Sequence, residues 1–274
     1  MPRIAVNGTE LYYEDSGTPS GGSATGQAII FSHGLLMNCA MFAGQVAALR
    51  ARYRCIAYDH RGQGKSAASD MRCIDMETVA ADGAALIEAL GVGPVHFCGL
   101  SMGGFVAMRL AARRPELLRS IILLETSAQP EPAENVGSYK KMNAVARWLH
   151  FRLVAPRVMP IMFGQTLLTA PGRDADRAAA RAMLFGNRRD IWRAVNGVIE
   201  RKGIEEEITR IRVPTLIAVG DEDVATKPEK AEAIAAAIPG AKLVRIPRAG
   251  HSSSMEEPAF VSNMIAEFLQ GLIA

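Results

Sequence analysis

Ser101, Asp223 and His251 are the residue types, in the chain order, that can make a serine hydroxyl reactive. A hydroxyl is a weak nucleophile at neutral pH and needs a base within hydrogen-bond reach. The base in turn needs a carboxylate that fixes its tautomer and stabilises its charged form. Ser101 lies in Gly99-Leu100-Ser101-Met102-Gly103, between the apolar run 94–98 and a helix-like stretch from Gly104 to Arg113. Strand, sharp Gly-x-Ser-x-Gly turn, helix is the order a nucleophile elbow requires. Glycines there let the serine occupy a strained backbone position, and the helix start aims its amides at any oxyanion formed. Taken alone, the motif also suits an ordinary tight connector, so the rest of the chain has to decide.

Five histidines compete for the role of base. His251, in Gly250-His251-Ser252 just past the final apolar run, is placed to swing over a sheet end. His33 and His60 belong to other motifs, His96 sits inside a strand, and His150 falls among the apolar residues of a helical segment. For the acid, Gly220-Asp221-Glu222-Asp223 follows a strand, and the order Ser101, Asp223, His251 is nucleophile, acid, base. Asp223 is preferred to Asp221, which follows the strand so closely that it suits a turn cap. The oxyanion needs two backbone donors: the amide after the nucleophile, Met102, and one from His33-Gly34-Leu35-Leu36, where Leu35 is the expected donor. His33, Gly34, Leu36, Trp148 and Met162 are the further candidates to line the pocket, with His33 also read as a brace for its loop.

These residues must be held by elements that the pattern makes visible. Ile4–Val6 and Leu11–Tyr13 flank Asn7-Gly8, a hairpin turn, and residues 16–26 read as a loop. Apolar runs at 27–31, 53–58, 120–124, 213–219 and 242–246 alternate with helical patterns at 41–50, 76–90, 228–238 and 258–269. Strands apolar on both faces predict an α/β fold, a mostly parallel sheet covered by helices on both sides. Sites in such sheets lie outside the carboxyl ends of the strands, where the motif residues cluster. Residues 127–207 show no strand pattern and read as a helical cap inserted into a core of 1–126 and 208–274. That segment is mildly basic, thirteen Lys and Arg against nine Asp and Glu, and Lys140-Lys141 and Arg188-Arg189 read as solvated faces.

Composition narrows the classes. In 274 residues, 49% are hydrophobic and 22% charged, and a net charge of +3 gives no footprint for nucleic acid. No run spans a bilayer and no secretory leader is visible, so a cytoplasmic protein is expected, acting as a monomer or homodimer on a small-molecule ester or lactone. Cys39, Cys55, Cys73 and Cys98 form no CxxC and read as reduced thiols. Neither zinc spacing nor GxGxxG after the first strand occurs, so neither metal nor cofactor is expected.

In combination the motifs resemble the α/β-hydrolase superfamily, specifically its capped members. His33-Gly34 is similar to the oxyanion-loop HG, and Asp59-His60-Arg61-Gly62-Gln63-Gly64-Lys65-Ser66 to the D-x-R-G-x-G-x-S turn. Gly99–Gly103 is similar to the elbow, Gly220–Asp223 to the acid turn and Gly250-His251 to the histidine loop. The likeness covers the chain outside the cap. It implies hydrolysis through an acyl-enzyme, and serine at the elbow sets aside the dehalogenases and epoxide hydrolases, which use aspartate. The elbow and acid turn look similar to small carboxylesterases and 3-oxoadipate enol-lactonases. The expectation is a serine esterase for small-to-medium esters; a lactonase or C–C hydrolase for a ring-cleavage product is the alternative. A perhydrolase side activity and a non-catalytic binding protein are the remaining readings.

Overall fold

Short apolar runs between turn residues become strands because a parallel sheet buries both of their faces. The computed structural model describes residues 2–19, 25–149 and 151–272, so the reading of His150 and the middle of the 16–26 loop lie outside the described residues. Its strands are β1 (Arg3–Val6), β2 (Thr9–Asp15), β3 (Ala28–Ser32), β4 (Arg54–Tyr58), β5 (Val95–Leu100), β6 (Leu118–Leu124), β7 (Thr215–Gly220) and β8 (Lys242–Ile246). They form one sheet in the order β1-β2-β4-β3-β5-β6-β7-β8. β1 pairs antiparallel with β2, and β2 with β4; from β4 to β8 every pairing is parallel. Every residue of β3, β5 and β7 is buried. β8, with the sequence KLVRI, departs from the both-faces expectation: it is the sheet edge, and only Ile246 is fully buried.

The strand order creates the place for a site. From β3 the chain steps outward to β4, then returns to the other side of β3 to make β5. The loops leaving β3 and β5 therefore diverge at neighbouring strand ends and open a crevice between them, the switch point at which open α/β sheets bind ligands. The His33–Leu36 loop leaves β3, and Ser101 leaves β5.

Helices pack in two groups. Ala43–Leu49 lies against Pro258–Gln270, while Met76–Leu90, Met102–Arg113, Glu205–Ile208 and Pro228–Ala237 form a separate layer. Met76–Leu90 forms where its apolar spacing predicts; Asp75 caps its start by accepting from the Thr78 amide at 2.8 Å, and left-handed Gly91 ends it. Between β6 and β7 the described residues carry helices and connectors only, among them Ala133–Trp148, Ala155–Met162, Asp174–Phe185 and Trp192–Ile199. All four cysteines are unpaired thiols. Among the described residues no helix is long and apolar enough to cross a membrane.

Candidate active site

Ser101 is forced into a backbone conformation that serine rarely adopts, φ 52° and ψ −107°, between the end of β5 and the first turn of Met102–Arg113. The flanking glycines make that corner possible. A Cβ on Gly99 would collide with the Gly103 carbonyl, and one on Gly103 with the Ser32 carbonyl of β3. Hydrogen bonds lock the turn: the Ser101 amide donates to Leu124 O at 2.8 Å, and Thr126 Oγ1 donates to Ser101 O at 2.8 Å.

His251 and Asp223 arrive from the loops after β8 and β7. His251 Nε2 lies 2.9 Å from Ser101 Oγ, and His251 Nδ1 lies 2.9 Å from Asp223 Oδ2. Nδ1–H donates to the carboxylate, which leaves Nε2 to accept the serine proton. Asp223 is further fixed by the Ala225 and Thr226 amides on Oδ1 and by the Thr226 hydroxyl on Oδ2. Burial alone would raise the Asp223 pKa, but the His251 charge and the hydrogen bonds from His251 and Thr226 outweigh it and hold the carboxyl below its usual range. Asp221 neither reaches the histidine nor caps the turn; it pairs with Arg245 on the surface.

The His33–Leu36 loop closes the opposite side. Neither the Leu35 nor the Met102 amide has a hydrogen-bond acceptor among the described residues, so both are free to serve an oxyanion. Leu36, at φ 67°, donates its amide to Gln63 Oε1 at 3.2 Å, and Gln63 Nε2 reaches Met102 Sδ at 3.6 Å. Gln63 belongs to the Asp59–Ser66 turn, whose Asp59 accepts the amides of Cys39 and Lys65, both at 2.7 Å. That turn thus braces the loop rather than entering the chemistry. His33 braces it too: Nδ1–H donates to Gly34 O at 2.7 Å, while Nε2 accepts from the His60 amide at 3.0 Å. Burial pushes the pKa values of His33 and His60 down, keeping both rings neutral. His96 is structural, bonded to Ser120 and Gln27, with its pKa pushed down to about 4 by burial and by Arg119.

A cavity of about 140 Å³ opens above Ser101 and His251. Leu35, Leu36 and Met162 line it. His33 and Gly34 lie behind the wall, and the Met102 side chain turns toward Gln63. Trp148 is a correction: it is 71% exposed and stands outside the cavity. The helix Ala133–Trp148 turns Tyr139, Met142, Asn143 and Ala146 inward, residues spaced three and four apart, and Trp148 falls off that stripe. Arg188 is a second correction, since it is half-buried and donates to Ser66 O at 3.0 Å instead of facing solvent.

Several site residues escape the motifs. Thr226 is one. Glu256 accepts the amides of Gly250, Ser252 and Gly164, tying the histidine loop to the helical segment. Glu125, directly after β6 and at φ 43°, is fully buried and accepts from Ser253 Oγ at 2.8 Å. Burial, then the Asp223 charge, raises the Glu125 pKa well above the carboxylate range, which favours the neutral acid. A polar residue at the end of a buried strand is the one sequence signal that could have flagged it.

A serine raised on a strand–helix corner over a parallel sheet, with histidine and aspartate in line behind it, is the arrangement found in serine hydrolases of the α/β type. Residues 29–263 match the model of the alpha/beta hydrolase family, and the chain belongs to that family. It is similar to a thermophilic esterase from Thermogutta terrifontis, at 29% identity and TM-score 0.88, with 99% of each chain covered. It is also similar to the enol-lactonase from Burkholderia xenovorans LB400, at 28% identity and TM-score 0.87, covering 98% of this chain and 100% of that one. A relative in Pseudomonas savastanoi pv. phaseolicola, named putative carbamate hydrolase RutD, is 26% identical over 88% of this chain and 93% of its own length.

Proposed function

We propose that the protein is a serine hydrolase that cleaves small-to-medium carboxylic esters through an acyl-enzyme, with residues 127–207 acting as a cap over the site. The observation that carries this reading is the pair of 2.9 Å contacts from Ser101 through His251 to Asp223. Ser101 Oγ attacks the ester carbonyl carbon as His251 Nε2 takes its proton, and Asp223 stabilises the imidazolium. The Leu35 and Met102 amides receive the oxyanion, a contribution worth about 100- to 1,000-fold in turnover per donor. Collapse of the tetrahedral intermediate expels the alcohol, which takes the proton from His251. Water then attacks the acyl-enzyme with the same histidine as base, releasing the acid and free Ser101.

An ester suits the cavity because its wall is chiefly Val, Ile, Leu, Met and Phe side chains. Its volume holds on the order of ten waters, room for a medium acyl group. A lactone is an internal ester open to the same attack, and the likeness to an enol-lactonase favours it as a second substrate form. Hydrolysis of p-nitrophenyl esters from acetyl to palmitoyl, with fluorophosphonate labelling, tests the reading. Turnover peaking at short or medium chains and lost in Ser101→Ala supports it. Full activity in a folded Ser101→Ala protein removes it, and a labelled enzyme that ignores the whole series points to a specific lactone.

A further inference from the structure

Polar groups enter the cavity at two poles. One holds Ser101, Thr226 and His251; the other holds Glu131, Tyr139, Asn143 and Arg201. The second pole lies near the first along the elbow helix. The Arg201 guanidinium stacks over the Phe105 ring at 4.6 Å, and Phe105 is one turn past Ser101, about 6 Å along the axis.

Hydrogen-bond accounting leaves this pole incomplete. Arg201 spends Nε on the Gln129 carbonyl at 3.1 Å and Nη1 on Glu131 at 2.7 Å and the Val198 carbonyl at 2.9 Å, while Nη2 has no acceptor among the described residues. Asn143, 7% exposed, donates Nδ2 to Trp192 O at 3.0 Å and to Asn196 Oδ1 at 2.8 Å. The Trp192 carbonyl can only accept, which fixes the amide orientation, and Asn143 Oδ1 is then a buried acceptor with no donor. The Tyr139 hydroxyl, also on the cavity wall, has no partner among the described residues. Asn143 lines the cavity with its Oδ1 closed to water just beneath the wall, and the free energy that an unpaired buried acceptor costs is recovered by a ligand donor that reaches it through a small shift of the side chain.

We propose that this pole is a recognition subsite for a neutral group that both donates and accepts hydrogen bonds, a secondary amide or a hydroxyl, carried on the acyl part of the substrate four to five bonds from the scissile carbonyl. The proposal rests on the ester-hydrolase reading and names its substrate class. The ligand N–H or O–H donates to Asn143 Oδ1, its oxygen accepts from Arg201 Nη2, and Tyr139 serves either. A carboxylate fits poorly: Glu131 already neutralises Arg201, and a second anion would face Glu131 and the Asn143 oxygen.

The test uses three p-nitrophenyl esters with acyl skeletons of seven atoms: heptanoate, 4-acetamidobutanoate and the monoester of pimelate. The acetamido ester is expected to show the highest kcat/KM, at least about tenfold above heptanoate, with the pimelate monoester lowest. Asn143→Leu lowers the ratio of acetamido to heptanoate kcat/KM about tenfold. Tyr139→Phe, which removes a hydroxyl with no partner among the described residues and so leaves the fold intact, lowers it less. Glu131→Gln leaves Arg201 unneutralised and moves the preference toward pimelate. A wild-type preference for heptanoate or pimelate, or ratios unmoved by both Asn143→Leu and Tyr139→Phe, overturns the subsite while leaving ester hydrolysis standing. Silence on all three esters with Ser101 unlabelled by fluorophosphonate removes the ester reading, and the subsite with it.

Discussion

The floor and the roof of the cavity are built by different physics. On the floor, the site residues sit on short loops at strand ends, and their orientation comes from backbone: the Ser101 corner, the free amides of Leu35 and Met102, and the amides that grip Asp223 and Glu256. The roof consists of helices that present apolar side chains downward and are fastened by side-chain tethers. Glu222 accepts the Thr166 amide at 2.8 Å, Asn187 Nδ2 donates to Leu36 O at 2.7 Å, and Arg188 reaches Ser66 O. Backbone-built geometry fails when one atom is added or one proton is misplaced. Tethered helices give way more gradually, so changes there are expected to alter which substrate is taken before they abolish turnover.

The two aspartates of the acid turn give the largest contrast. Asp223→Asn is expected to cut kcat about 10⁴-fold, because an amide no longer fixes the His251 tautomer. Asp221→Asn, two residues away, loses only an exposed contact with Arg245, and kcat should stay within about twofold. Steady-state kinetics on both purified variants decides it; equal losses would mean that the acid is shared.

Adding one methyl group separates floor from roof in stability. Gly103→Ala drives a Cβ into the Ser32 carbonyl and should cost about 3 kcal/mol, on the order of 6–12 °C in Tm for a chain of this size. Gly137→Ala, in the helix Ala133–Trp148 where an added Cβ meets nothing within 4 Å, should instead gain about 0.5–1 kcal/mol. Thermal melts of the pair read both signs, and a Gly103→Ala protein as stable as its parent would show that the elbow can move.

Glu125 tests whether the floor stores an uncharged acid beside Asp223. Its folded pKa is raised, so above the ordinary carboxylate range the unfolded chain releases a proton that the fold retains. Stability therefore falls as pH rises from that range toward the folded pKa. Glutamine keeps an acceptor for Ser253 Oγ and has no proton to retain. The Tm of Glu125→Gln should thus gain on the parent as pH rises above the ordinary carboxylate range. A Tm difference that does not change with pH would mean that Glu125 is ionised in the folded protein.

The same division governs what the sequence reveals. The floor is legible because its signals are local. The elbow is complete within five residues, the strands announce themselves as apolar runs, and Ser101, Asp223 and His251 follow one another in a fixed order. The roof and the supports of the floor depend on partners far apart in the chain. Arg201 meets Glu131 across 70 positions, Gly164 meets Glu256 across 92, and Asn143 meets Trp192 across 49. No periodicity links such pairs. β8 misleads for a related reason: an edge strand needs fewer apolar residues, and only its place in the sheet shows that it is one.

Trp148 is where expectation and structure part most plainly, and it predicts the smallest effect. Large aromatics usually earn their place by burial, which makes a tryptophan above an apolar cavity look like a wall residue. On this helix the inward stripe ends at Ala146, and two further residues rotate the chain by about 200°, so Trp148 points to solvent with Arg147 4.8 Å from its ring centroid. Such an exposed stack contributes on the order of 0.5–1 kcal/mol at most. Trp148→Ala should leave kcat/KM for short esters within about twofold and stability within about 0.5 kcal/mol. Met162→Ala, at a buried wall position, should cost about 2 kcal/mol or more and shift the preferred acyl length upward as the cavity enlarges. Chain-length profiles of the two variants side by side read the difference. A profile moved by Trp148→Ala and not by Met162→Ala would put the substrate on the outer face of the helix rather than beneath it.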